Sequence, residues 1–172
     1  MNPGKLLHIR LILAGFMVAL ALSGITAFAL PPEVRLLKAW FGPGTATGEA
    51  FPGLAQWLCK VSNGLETADR DYPFLAYGTD WLAFAHLIIA ISFIGPIRDP
   101  VRNIWGVEFG MIACFALIPL ALICGPIRGI PWFWRAIDCS FGVFGMIPLW
   151  IVWGMIRSVS SQDVKQPEIH IQ

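Results

Sequence analysis

The tetrapeptide Gly-Pro-Ile-Arg occurs twice, at 95–98 and 125–128, and the stretch between the copies, 99–124, reads DPVRNIWGVEFGMIACFALIPLALIC. At about 1.5 Å per residue, the apolar part of this stretch is long enough to cross a bilayer core of about 30 Å. Each Gly-Pro is expected to end a helix, because Gly tolerates a left-handed cap and Pro cannot continue the ladder. Asp99-Pro100 then offers a side-chain acceptor before a Pro suited to a first helical position, which starts the next helix. The stretch therefore reads as a central transmembrane helix between two very short turns.

Composition points the same way. Of 172 residues, 56% are hydrophobic and only 13% charged, and the mean hydropathy is +0.67. That is the balance of a membrane protein. A net charge of +1, with no basic run, excludes nucleic acid as a partner. The four cysteines, Cys59, Cys114, Cys124 and Cys139, form no C-x-x-C pair, which argues against thiol–disulfide exchange and structural zinc and predicts no metal site.

Working outward, four spans are expected at about 11–30, 74–97, 103–124 and 132–156. The fold class that results is all-α, an integral membrane four-helix bundle forming one domain over 1–172. The first span has two readings. A basic start and Ala27-Phe28-Ala29 suit a signal peptide. The apolar run, however, exceeds the usual core of about 7–15 residues, and Pro31-Pro32 follows at once. It is taken as a retained helix. Between the first two spans, 31–73 is an outer loop with two short amphipathic helices. One places Val34, Leu37, Trp40 and Phe41 on a face; the other repeats Leu54, Trp57, Leu58, Val61 and Leu65 at helical spacing. The tail, 158–172, is polar and contains Pro167.

Basic residues near the span ends set the orientation. With both termini inside, Lys5, Arg10, Arg98, Arg102, Arg157 and Lys165 face the cytoplasm, while Arg35, Lys38, Lys60, Arg70 and Arg128 face out. Trp81, Trp132 and Trp134 mark one interface, and Trp105, Trp150 and Trp153 the other. A bacterial inner membrane is the expected location.

Small residues supply the packing faces. Gly106 and Gly110 line the third span, continued by Ala113 and Cys114, and Gly142 and Gly145 line the fourth beyond Asp138. In lipid, close backbone approach comes from such stripes, within one chain or between two copies of it.

Charge within a span costs about 2.5–3.5 kcal/mol at the membrane centre, so each instance needs a partner or a purpose. Asp80, His86, Arg135 and Asp138 fall at comparable depths in the outer half of the second and fourth spans. They are expected to converge there. One reading is an internal ion-pair network that fixes helix register; others are a small-molecule or lipid-headgroup pocket and acid–base or proton-relay chemistry through His86 and Asp138. Glu108 is an isolated intramembrane carboxyl, expected to pair with Arg98 or Arg102 at the inner rim or to carry a proton. Haem ligation by His86 is disfavoured because His8 and His170 fall at or beyond the opposite side; no other cofactor is indicated. Phosphate loops, nucleophile elbows and metalloprotease helices are absent from the sequence. The repeated tetrapeptide is too short to establish an inverted duplication.

The functional expectation is a non-enzymatic accessory, assembly, or ligand- or lipid-binding component of a larger membrane system. Its partners would be membrane lipid, other membrane subunits or a second copy of the chain. The alternative is a small membrane enzyme or proton-coupled carrier built on the outer-half polar cluster.

Overall fold

The structure is a computed structural model that describes residues 3–163. Of the polar tail expected over 158–172, the part from residue 164 on, including Lys165 and Pro167, lies outside the described residues. Those residues are all-helical: α1 (Pro3–Phe28), α2 (Leu30–Phe41), α3 (Ala46–Ala50), α4 (Pro52–Asp71), a 3-10 turn (Pro73–Leu75), α5 (Ala76–Ser92), α6 (Ile94–Arg98), α7 (Ile104–Ile127) and α8 (Trp132–Asp163). Four stretches are long and apolar enough to cross a membrane: Pro3–Phe28, Pro73–Arg98, Ile104–Ile127 and Trp132–Ser158.

By their internal contacts the residues fall into two compact units, Leu20–Ile89 and the combination of Met1–Ala19 with Ala90–Gln172. In the second of these, α7 and α8 pack closely on one another. Ile9, Leu13, Phe93, Val107, Leu149, Val152 and Ile156 are buried, and the Phe16 and Phe93 rings meet at 4.9 Å. Helix α1 begins at Pro3, well before the expected residue 11, because its early polar side chains find acceptors rather than opposing the helix. His8 Nδ1 donates to the Gly4 carbonyl at 2.7 Å and Lys5 Nζ to Ser158 Oγ at 2.8 Å. Arg10 donates to the carbonyls of Ile97 and Arg98 at 3.0 and 2.9 Å.

The Gly-Pro pairs do not end helices as expected. Gly95-Pro96 lies inside α6, and Gly125-Pro126 lies in the last turn of α7. Proline forfeits only one ladder bond there, and the stop falls at the next residue able to turn left-handed. That residue is Gly129, with φ +69°. Ile130 N–H then donates to the Gly125 carbonyl at 2.9 Å, satisfying an end group as a left-handed cap does. Asp99 caps a turn ahead of α7 rather than α7 itself: its Oδ1 accepts from Arg102 N–H at 3.0 Å, and α7 starts after Asn103. Gly129→Ala is expected to lower stability by about 1 kcal/mol, since a Cβ resists positive φ. Gly15→Ala, where an added Cβ meets nothing within 4 Å, serves as the neutral control in a thermal-unfolding comparison in detergent.

Within Leu20–Ile89, α2 follows α1 after a single residue, Ala29. Pro31 and Pro32 do not interrupt it because they occupy the first turn, where their missing N–H groups have no intrahelical acceptor to lose. Thr45 caps α3, accepting from Gly48 N–H at 2.9 Å. Helices α2 and α4 pack together. Val34 on α2 and Leu58 on α4 are buried, both on the expected faces, and Ala55 and Ser62 on α4 are buried as well. Leu37 and Trp40 are 39% and 62% exposed.

Candidate functional site

The four residues expected to converge are divided between the units: Asp80 and His86 belong to Leu20–Ile89, Arg135 and Asp138 to the other. Each pair is built locally. His86 sits on α5 one turn beyond Leu82, and its Nδ1 donates to the Leu82 carbonyl at 2.8 Å. Because the acceptor is a carbonyl, Nδ1 carries the proton in this bond. Across from it, α1 approaches at Gly24, where a Cβ would stand 2.9 Å from both the Ala83 carbonyl oxygen and His86 Cβ. Gly24 therefore lets two apolar helices close around the His86 turn. Asp80, two turns earlier, is exposed and forms one wall of a shallow depression of ≈ 250 Å³ shared with Phe28, Tyr77, Trp81 and Phe84.

In the other unit, Arg135 and Asp138 are half-buried near the start of α8. Three residues apart on a helix, they were expected to answer one another. Among the described residues their side chains make neither a hydrogen bond nor an ion pair with one another. The Arg135 stem instead lies against Gly125 of α7, where an added Cβ would come within 2.4 Å of its Cδ. This places Arg135 Nε in a buried position with no hydrogen-bond partner. Closer packing of α7 on α8 outweighs the pairing.

Glu108 is not isolated, and its partners are not Arg98 or Arg102. Its Oε1 accepts from Trp153 Nε1 at 3.0 Å and lies 3.5 Å from Arg157 Nη2. The Arg157 guanidinium in turn stands 4.5 Å from the centroid of the Trp153 ring. Carboxylate, indole and guanidinium thus form a three-sided tie between α7 and α8. The i, i+4 spacing of Trp153 and Arg157 puts both on one face of α8, and that spacing was the available signal.

The packing glycines have defined neighbours. An added Cβ on Gly110 would lie 2.8 Å from Phe93 Cζ and 2.9 Å from Leu149 Cδ1; on Gly142, 2.5 Å from the Cys114 carbonyl oxygen; on Gly145, 2.9 Å from Cys114 Sγ. Gly106 instead faces the Pro96 ring, at 2.6 Å. Gly24 was not singled out from sequence, although a Ser-Gly step inside an apolar run marks such an approach. The four cysteines are free thiols. Among the described residues no three His, Cys, Asp or Glu side chains come together as a metal would require.

Together these features define a class: an all-helical protein, over the described residues, with four helices long and apolar enough to cross a membrane. No protein-family model, curated protein or solved structure matches the chain.

Proposed function

We propose that this chain is a non-enzymatic accessory or assembly component of a larger membrane system, in contact with lipid and with other subunits or a second copy of itself. Its four spans would form a bundle in a bacterial inner membrane with both termini cytoplasmic. Helices α2 and α4 would lie along the outer surface, with Leu37 and Trp40 turned to the bilayer. The observation that carries this reading is how the intramembrane proton-exchanging groups are used. Glu108 is held by Trp153 and Arg157 and His86 by the Leu82 carbonyl. Groups bound in this way fix helix geometry, whereas a catalytic acid or base must be presented to a substrate.

Arg135 and Asp138 favour the alternative, a small membrane enzyme or proton-coupled carrier, because these two charges sit at membrane depth without pairing with each other. His86→Gln and Asp138→Asn separate the readings. Under the accessory reading, both variants in the native host support function in proportion to the amount of protein accumulated. Loss of function at full abundance and unchanged melting temperature would establish the active-site reading instead.

A further inference from the structure

We propose that Arg98 and Arg102, in the short connection between α6 and α7, hold the headgroup of an anionic phospholipid, a site that rests on the reading of the apolar helices as membrane spans and gives the lipid contact a chemical class. Both arginines belong to the same compact unit as the start of α1. Their backbone is fixed by local bonds. Asp99 N–H donates to the Gly95 carbonyl at 3.0 Å and Asn103 N–H to the Asp99 carbonyl at 3.1 Å. Asn103 Nδ2 adds bonds to the same two carbonyls at 3.2 and 2.9 Å. Arg10 of α1 docks on this connection, donating to the carbonyls of Ile97 and Arg98 at 3.0 and 2.9 Å. Those acceptors are neutral, so the charge of Arg10 is not cancelled there.

The charges at this corner select an anion. Arg98 and Arg102 are exposed, and among the described residues neither side chain makes a hydrogen bond or an ion pair. Glu108, the carboxyl expected to answer them, is committed to Trp153 and Arg157. Asp99 remains, its Oδ1 accepting from Arg102 N–H, which leaves three guanidiniums, those of Arg10, Arg98 and Arg102, against one carboxylate. Guanidinium forks match the oxygens of a phosphate. Position then selects a lipid over a free phosphate. Arg98 is the last residue of the span Pro73–Arg98, and Arg102 stands two residues before the span Ile104–Ile127, at the level where hydrocarbon gives way to headgroups. Val101 between them and Trp105 just beyond are 38% and 64% exposed, offering apolar surface to an acyl chain beside the charges. A zwitterionic head would bring its own cation back to the patch and weaken the attraction; an anionic head does not.

The test titrates the full chain in maltoside detergent with mixed micelles of phosphatidylglycerol or phosphatidylcholine, reading apparent affinity by microscale thermophoresis. Phosphatidylglycerol is expected to bind about tenfold more tightly, and Arg98→Gln and Arg102→Gln each to remove about threefold of that preference, with phosphatidylcholine unchanged. The exposed Arg128 lies at the other end of α7, and Arg128→Gln is expected to keep the preference, which separates this site from net charge. If a variant does not fold, the parent protein still decides: its preference should largely vanish between about 0.05 and about 0.5 M sodium chloride. A preference that survives salt, or that is unchanged in both folded variants, would overturn the proposal. Displacement of the lipid by glycerol phosphate at matching concentration would make the occupant a soluble phosphate and overturn it too. Equal affinity for the two lipids, in a chain that resists alkaline carbonate extraction from membranes, would overturn the lipid site alone. Release of the chain by carbonate would overturn the site together with the membrane spans.

Discussion

Gly142→Ala is expected to destabilise the protein by about 2–3 kcal/mol, a large effect for one added methyl group. The new Cβ would stand 2.5 Å from the Cys114 carbonyl oxygen. A backbone atom in mid-helix cannot rotate away, so relief requires α7 and α8 to separate. Separation would loosen the Leu149 and Phe93 contacts around Gly110 and weaken dispersion along the seam. Gly145→Ala meets a softer obstacle, Cys114 Sγ at 2.9 Å, which a rotamer change can move. Its expected loss is about 1 kcal/mol, recovered when Cys114→Ala is added; the same addition leaves the Gly142→Ala loss in place. Gly154→Ala, on the same helix with nothing within 4 Å, should stay within about 0.5 kcal/mol of the parent. Thermal unfolding in detergent reads all five variants, and an equal melting temperature for Gly142→Ala and Gly154→Ala would refute the tight seam.

This seam also shows what the amino-acid sequence could reveal. Hydropathy reads length and apolarity whatever faces the helix, which is why all four helices long and apolar enough to cross a membrane were legible. Azimuth is another matter. The depth match between His86 and Asp138 used only the rise per residue, and nothing in it fixed which way either side chain turned. Arg135 and Asp138 share a helix face by spacing, yet the guanidinium stem follows Gly125 because a glycine opposite leaves room for it. For the same reason sequence proximity points Glu108 to Arg98 and Arg102, whereas helix packing brings Trp153 and Arg157 to it from 45 and 49 residues away. Gly125-Pro126 does not stop α7 for a local reason: in a last helical turn proline gives up one bond, and the chain continues to Gly129 before turning.

Arg157→Ala is expected to be more harmful in the parent protein than in a Glu108→Gln background, with a coupling of about 1 kcal/mol between the two sites. Glu108 lies about 6 Å along α7 from its first residue, at the helical rise of about 1.5 Å per residue. Its side chain is 29% exposed and the Arg157 side chain 60% exposed. An ion pair of that exposure in water contributes little, so the 3.5 Å contact does not hold the helices by itself. The carboxylate also accepts the Trp153 N–H at 3.0 Å, and the guanidinium rests on the same indole. Removing Arg157 leaves a negative charge against the hydrocarbon with one neutral donor, the situation in which truncating one partner costs more than the pair contributes. Glutamine at 108 keeps an acceptor for Trp153 but carries no charge to strand. Arg157 takes part in further interactions, so its single-variant loss mixes several terms; the double-mutant cycle cancels those that do not involve Glu108. Trp153→Leu removes the indole donor and the ring beneath the guanidinium together, and is expected to cost about 2 kcal/mol. If Arg157→Ala lowers stability equally in both backgrounds, Glu108 and Arg157 are independent, and the tie between α7 and α8 rests on the indole alone.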